Sequence, residues 1–446
     1  MEKERVFNKN SHLITIYLDD EFTLIVNPYL GNAIKILNKT QFDILSLFDG
    51  DRDIVDIAEK SGRTVDEIQN FASLLSAGRY LINGKQPQNP VFDNFSANIN
   101  FWVHTTDLCN LRCRYCYIHT KDSHKSMEYP VIEKFMSKII ETVIIKKLKL
   151  VTLRLAGGEP FIRFYIWKSY ICNLKKELAL YNCKLNVTFL TNLTLLTDEI
   201  IAFIKFENIG IGVSLDGLNQ FHNMARPFSN GRGSFDIILN NIKRLVGNGI
   251  TPHIMTVVSN DNLDGLFDFT VFLVKNNFTF RYTIVQSNDF NYQKAIIVFD
   301  KIYSFLEQEI EKGFAFEEKH QLGDLNLPRI FNHTCGAGIN TGTIYSDGNI
   351  YFCQQQVGTN IYLDSVYSNR DLIDIISSGA SFYEELSHDC QKCNYLYVCS
   401  GGCPLVRTNG KSPSCMFYRR FIPIIYKLIG KERLFKIRNI VGNGKI

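Results

Sequence analysis

Residues 109–116 read CNLRCRYC, three cysteines within eight positions. Three residues separate the first pair and two the second, and no fourth cysteine follows closely. Thiolates are soft ligands that suit zinc or iron–sulfur clusters. Structural zinc usually takes four protein ligands in paired groups. Three cysteines around a four-iron cube instead leave one iron open to a small chelating molecule. The position of this loop in the fold decides what the cysteines can do.

Outward from the loop, strand and helix patterns alternate. Apolar strand patterns lie at 98–106, 150–157, 185–192, 209–216, 251–259 and 279–287. Helical patterns fill the gaps at 130–148, 163–181, 197–206, 234–248 and 262–276. Six such β/α units predict an α/β class fold, a parallel sheet curved into a partial (β/α)6 barrel. Ligands of such barrels sit at the carboxyl ends of the strands. CNLRCRYC follows the first strand and so lies on that face.

The chain has 446 residues, 45% hydrophobic and 21% charged, with a net charge of +4. This composition is globular, and the charge is too small to suggest a nucleic-acid binder. No apolar run approaches the ~20 residues of a membrane span. The start, MEKERVFNKNSH, lacks a signal-peptide core, so a cytoplasmic protein is expected. Disulfides are rare there, and ten of the twelve cysteines fall in groups, which reads as metal or cluster ligation. Cys172 and Cys183 stand alone and read as bystanders.

CxxxCxxC after the first strand of a β/α barrel resembles the radical S-adenosylmethionine enzymes. The resemblance makes Cys109, Cys113 and Cys116 the ligands of a 4Fe–4S cluster, with Tyr115 as the usual aromatic before the last cysteine. In that family the open iron chelates the amino and carboxylate groups of S-adenosylmethionine, and electron transfer from the cluster yields a 5′-deoxyadenosyl radical. AGGEP at 156–160 resembles the family's GGEP, which implies cofactor contacts from Gly157, Gly158, Glu159 and Pro160. Glu159 and the neighbouring backbone are expected to hold the methionine ammonium, and the glycines to let the backbone approach it. Asn192 ends the third strand, Ser214 the fourth, and Arg226 follows; relatives grip the cofactor with residues so placed.

A second cysteine set begins at Cys335 and Cys353 and continues as Cys390-x2-Cys393-x5-Cys399-x3-Cys403, then Cys415. Its spacing resembles the SPASM extension, which holds two auxiliary 4Fe–4S clusters, three clusters in all. The resemblance assigns Cys390, Cys393, Cys399 and Cys415 to an outer cluster and Cys335, Cys353 and Cys403 to an inner one. The inner set is one ligand short. Some relatives have a cysteine six residues before the first, where this chain has Arg329. An open iron, His333 or another side chain remain as alternatives for that place.

Residues 1–85 show a hairpin pattern at 11–27 and three helical patterns, a winged-helix-like unit. Ten Lys/Arg against thirteen Asp/Glu argue against a phosphate-binding face there. The unit resembles the leader-peptide recognition element of peptide-modifying enzymes, which adds the leader as an extra strand. Residues 86–97 read as a linker, 98–290 as the barrel, 291–334 as a bridge, and 335–446 as the SPASM region ending in a helix. The basic stretch 416–446 reads as a solvated helix face.

Together these parts resemble a radical S-adenosylmethionine/SPASM peptide maturase of the thioether-forming sactipeptide or ranthipeptide type. The resemblance implies a precursor peptide bound through its leader at 1–85 and an electron donor such as flavodoxin or ferredoxin; charge and hydropathy predict no nucleic-acid or membrane partner. Carbon–carbon crosslinking, epimerisation and formylglycine formation on sulfatases are the competing reactions. A redox- or S-adenosylmethionine-sensing iron–sulfur regulator is the non-enzymatic alternative.

Overall fold

The computed structural model describes residues 6–83, 97–118, 124–323, 325, 327 and 333–442. Most of the expected linker, and Arg329, lie outside the described residues.

The front of the chain runs β1 (Phe7–Lys9), β2 (Ile14–Tyr17), β3 (Phe22–Val26), β4 (Ile34–Asn38), α1 (Lys39–Ser46), α2 (Ile54–Ser61), α3 (Val65–Ala77) and β5 (Leu81–Asn83). Strands β2, β3 and β4 form an antiparallel sheet in that order, and β1 pairs with β5. The β2–β3 turn is closed by Asp19, whose Oδ1 accepts from the Glu21 and Phe22 amides at 2.9 and 2.8 Å. Two capping boxes, Asn38 with Gln41 and Thr64 with Glu67, start α1 and α3 by satisfying amides left free at the first turn. Side chains along β3 alternate between two cores. Ile25 joins Leu37, Leu45 and Leu75 beneath the three helices, while Leu24 and Val26 face the opposite way into the main core.

The six expected strands form, as β6 (Asn98–His104), β7 (Leu150–Ala156), β8 (Lys184–Thr191), β9 (Gly210–Ser214), β10 (His253–Val258) and β11 (Thr279–Ile284). Between them run α4 (Tyr129–Lys146), α5 (Phe164–Ala179), α6 (Asp198–Glu207), α7 (Asn219–Ala225), α8 (Phe235–Gly247) and α9 (Leu266–Lys275). All neighbouring pairs from β6 to β11 are parallel. Ile99, Phe101 and Val103 on β6, and Val151, Leu153 and Leu155 on β7, are fully buried under the helices. Each such side chain contributes about 1.5–3 kcal/mol by leaving water. The residues between them, such as Asn100, Trp102 and Arg154, belong to the other face and are only half-buried. Burial against helices on one face alone explains why these strands alternate.

The sheet is wider than the six strands expected. After α10 (Tyr292–Ile310) and α11 (Phe316–Lys319), β12 (His320–Leu322) adds a parallel strand beside β11. At the other edge β13 (Thr341–Ile344) pairs parallel to β6, followed by antiparallel β14 (Asn349–Tyr351) and β15 (Asp364–Ser365). The ten-stranded order is β12-β11-β10-β9-β8-β7-β6-β13-β14-β15. Both edges of the six-stranded parallel sheet β6–β11 are thus paired, which protects their open amides and carbonyls. The cysteine-rich region is continuous with this sheet through β13.

Short helices α12 (Leu372–Ser377), α13 (His388–Gln391) and α14 (Leu396–Cys399) precede the long α15 (Cys415–Gly442). The basic tail expected as a solvated face is instead packed. Phe417 and Phe421 lie 5.0 and 5.8 Å from the Phe299 ring of α10. Lys431 pairs with Glu307 at 2.6 Å, and Arg433 with Glu317 at 2.7 Å. Near its end α15 meets the front sheet, where Arg438 pairs with Asp19 at 2.9 Å. No helix among the described residues is long and apolar enough to cross a membrane.

Candidate metal centre

Strand β6 delivers the 105–118 loop to the carboxyl end of the sheet, and the neighbouring segment holds it there. The Gly158 amide donates to the Thr106 carbonyl at 2.6 Å, and the Glu159 amide to the Leu108 carbonyl at 2.8 Å. A Cβ on Gly157 would stand 2.4 Å from the Thr106 oxygen, and one on Gly158 2.1 Å from the Leu108 oxygen. Gly157 also has φ of +134°. The close approach that requires these glycines is therefore to the cysteine loop itself.

The loop's other side docks on the segment after α7. Amides of Arg112 and Arg114 donate to the carbonyls of Pro227 and Ala225 at 2.8 and 3.0 Å. Beneath this seam lies a buried polar network. Arg226 Nε donates to Asp216 Oδ2 at 2.6 Å, and the Tyr115 hydroxyl donates to the same oxygen. Asp216 Oδ1 accepts from the Val257 amide at 2.9 Å. The Arg226 guanidinium lies 5.2 Å from the Tyr115 ring centre, a cation–π geometry, and its Nη1 is 3.8 Å from Cys113 Sγ. His222 Nδ1 accepts from the Asp216 amide at 3.2 Å, and its Nε2 stands 3.0 Å from Ser234 Oγ. Ser234 Oγ donates to the Arg226 carbonyl at 2.6 Å. Burial pushes the His222 ring down to about 4, so it stays neutral at pH 7, with Nδ1 accepting and Nε2 donating.

On the opposite side, Asn192 Nδ2 stands 3.7 Å from Cys109 Sγ and donates to Asn110 Oδ1 at 3.0 Å. Glu159 is wholly buried. Its carboxylate accepts from Thr191 Oγ1 at 2.6 Å, the Asn192 amide at 2.8 Å and the Phe161 amide at 3.1 Å. Of the residues expected to grip a cofactor, Glu159, Asn192 and Arg226 thus engage protein partners that fix the cysteine loop. Pro160 is buried at the start of the turn after Glu159, and Ser214 is half-buried at the end of β9.

Cys109, Cys113 and Cys116 stand close enough for their charges to interact. Burial, then the Glu159 carboxylate and the two neighbouring sulfurs, push the Cys109 thiol up to about 12. Bound metal cations reverse this balance and favour thiolates. The donor set therefore suits a cationic iron–sulfur group. Among the described residues no three His, Cys, Asp or Glu converge on one point as ligands of a single ion; the cysteines of a cube each meet a different iron and need no such convergence.

The second cysteine set falls into two groups in space. Cys390, Cys393, Cys399 and Cys415 line one cavity with Tyr395 and Tyr418. Burial and then the neighbouring sulfurs of that group push Cys399 up to about 12. Cys353 is likewise held up to about 12 by burial and by Cys335 and Cys403. Tyr117 stands between the sets. It packs against Tyr345, Tyr351 and Val357, and burial, then Cys116 and Cys353, raise its hydroxyl's pKa. The Tyr345 hydroxyl donates to Asp107 Oδ2 at 2.7 Å, and Asp107 Oδ1 lies 2.8 Å from His104 Nε2. This buried contact ties the first cysteine loop to the cysteine-rich region.

Sequence reasoning missed Asp216, His222, Ser234 and the His104–Asp107–Tyr345 contact. Asp216 was within sight, one residue before Gly217 at the end of a strand pattern. The others are polar residues whose partners lie far along the chain.

Residues 103–272 match the Radical SAM superfamily. The serine-type anaerobic sulfatase-maturating enzyme of Bacteroides thetaiotaomicron is 24% identical over 355 residues, 67% of this chain and 80% of that protein. The radical SAM cyclopropyl synthase TigE of Paramaledivibacter caminithermalis is 22% identical over 97% of this chain and 88% of its own. In fold, the chain is similar to native anSMEcpe with bound AdoMet and Kp18Cys peptide. The TM-score is 0.64 at 18% identity, over 75% of this chain and 99% of that one.

Proposed function

From the premise that this chain carries a radical S-adenosylmethionine domain, we propose that it is a peptide maturase forming a new bond within a ribosomally made precursor. The observation that carries this reading is the grouping of Cys109, Cys113 and Cys116 at the carboxyl end of β6, clamped between the Arg226–Asp216 pair and Asn192. When bound, S-adenosylmethionine and its cluster supply a 5′-deoxyadenosyl radical that takes hydrogen from a peptide carbon. The chain's own residues hold and shield that centre. Arg226 presents positive charge beside Cys113, Asn192 fixes the Cys109 side, and the Gly157–Gly158 backbone clamps the loop between them. The rim formed by Ser214 and Arg226 is where the cofactor's carboxylate and ribose would be held. Such fixed positioning supplies much of the rate in radical chemistry at a chosen carbon.

The front unit, residues 1–85, would bind the leader along an edge of its β2–β3–β4 sheet. The cysteine-rich region would hold two further clusters, the outer on Cys390, Cys393, Cys399 and Cys415, the inner on Cys335, Cys353 and Cys403. These would pass the second electron to an external acceptor.

The bond formed is a thioether if the inner iron holds a substrate cysteine thiolate. A second reading, carbon–carbon ring closure, is favoured by the likeness to a cyclopropyl synthase over 97% of this chain. The sulfatase-maturating relative matches 67%, so formylglycine formation accounts for less of the sequence.

The test has two arms. Reduced, anaerobically reconstituted protein should cleave S-adenosylmethionine to 5′-deoxyadenosine, and the variant Cys109→Ala/Cys113→Ala/Cys116→Ala should not; cleavage by that variant would overturn the assignment. With a candidate precursor, mass spectrometry reads the reaction. A crosslink loses two hydrogens, epimerisation changes no mass, and formylglycine formation from cysteine loses sulfur.

A further inference from the structure

Four thiols surround the cavity at the outer set, but only three belong to the inner set, Cys335, Cys353 and Cys403. Among the described residues near those three, one imidazole is placed to complete the set. Two residues before Cys335 lies His333, whose ring centre is 4.2 Å from that of Tyr383. The hydroxyl of the same Tyr383 stands 4.0 Å from Cys335 Sγ and donates to the Ala337 carbonyl at 3.0 Å. Thr334, between His333 and Cys335, is anchored by its hydroxyl to the Gly402 carbonyl at 2.5 Å, one residue from Cys403. Arg407 locks the same turn by donating to the carbonyls of Ser400 and Gly402 at 2.7 and 2.9 Å. His333 thus packs on the tyrosine that reaches Cys335, and the residue between His333 and Cys335 is tied to the turn that carries Cys403. Its Nδ1 is buried and has no hydrogen-bond partner among the described residues. A buried imidazole nitrogen without a partner is costly unless something absent from the bare chain takes its lone pair.

We propose that His333 is the fourth ligand of the inner iron–sulfur site, completing the set Cys335, Cys353 and Cys403. Imidazole is a competent ligand for iron and occurs beside thiolates in iron–sulfur centres. A neutral imidazole in place of a thiolate leaves the cube less negative, which raises its reduction potential. That suits a cluster that accepts an electron from a substrate radical. It also closes the iron that a substrate thiolate would need, so it favours carbon–carbon closure over the thioether. The inference rests on the reading that the inner cysteines hold a cube.

The experiment uses the full chain carrying Cys109→Ala/Cys113→Ala/Cys116→Ala, so that signals come from the second cysteine set alone. The protein is reconstituted anaerobically, reduced, and compared after growth with natural-abundance and 15N-labelled histidine. Pulsed electron paramagnetic resonance should show a directly coordinated nitrogen whose coupling changes with the isotope and disappears in His333→Ala. His333→Cys should keep the iron content, lose the nitrogen coupling and lower the midpoint potential of one cluster. Full iron content without nitrogen coupling, with a signal that shifts on adding cyanide, would mean an open iron and overturn the ligand alone. Coupling that survives in His333→Ala would also overturn it. Iron for a single auxiliary cube would remove the inference together with the reading beneath it.

Discussion

Asp216 carries the largest burden of any single residue at the centre. Its carboxylate accepts from Arg226, Tyr115 and the Val257 amide, and it is fully buried. Removing one partner of such a buried pair leaves an uncompensated charge, at a cost of about 3–5 kcal/mol. We expect Asp216→Ala to lose stability of that order in urea denaturation of the apoprotein. Glu159 gives a pH signature. Burial pushes its carboxyl from 4.5 up to about 7, against the three hydrogen bonds it accepts. A raised carboxyl pKa means that the folded state binds the proton more tightly. Its stabilisation is complete below 4.5 and is lost as pH rises through about 7. The stability of the apoprotein relative to Glu159→Gln should therefore fall by on the order of 3 kcal/mol across that window. Matched thermal melts at several pH values measure it; a constant difference would refute it.

Helix α15 is the element that joins the ends of the chain. It begins at Cys415, on the cavity of the outer cysteine group, and reaches the front sheet through Gly430 and Arg438. Its 28 residues make it about 42 Å long at the usual helical rise. A Cβ on Gly430 would stand 2.8 Å from Leu18 and 3.1 Å from Leu24. Gly430→Leu should wedge the helix from the sheet and speed hydrogen exchange in β2 and β3, leaving the parallel strands β6–β11 protected. Asp19→Asn removes the charge of the half-exposed pair with Arg438 while keeping the Oδ1 that closes the β2–β3 turn, and should change stability by less than about 1 kcal/mol. A larger loss in that variant would mean the pair holds more of the interface than its exposure implies.

At the scale of the whole molecule, one apolar core runs from Leu18, Leu24 and Val26 of the front unit through the parallel sheet and its helices to Leu434 of α15. The front unit has its own core too, but one face of its sheet is shared. Deleting residues 1–83 would uncover that face of α15 and its neighbours. We expect the truncated protein to aggregate in size-exclusion chromatography, where full-length material stays monodisperse. Leader binding is therefore better tested by substitutions on the exposed face of β2, such as Tyr17→Ala, than by deletion. A well-behaved truncated protein would show that the shared face is dispensable.

The amino-acid sequence alone determined the cysteine loop and the six parallel strands that present it. Spacing and alternation are local, and they survive reading one residue after another. The same holds for Asn38 and Thr64, whose capping partners lie three residues away. Tertiary structure decided the rest. The partners of Arg226, Glu159 and Asn192, the joining of β13 to β6, and the burial of the basic tail all depend on groups brought together from distant positions. A carboxylate's partner is set by which strand ends meet, and no local pattern encodes that. The same long-range closure set the His333 ring against Tyr383, with a nitrogen that no residue described around it satisfies.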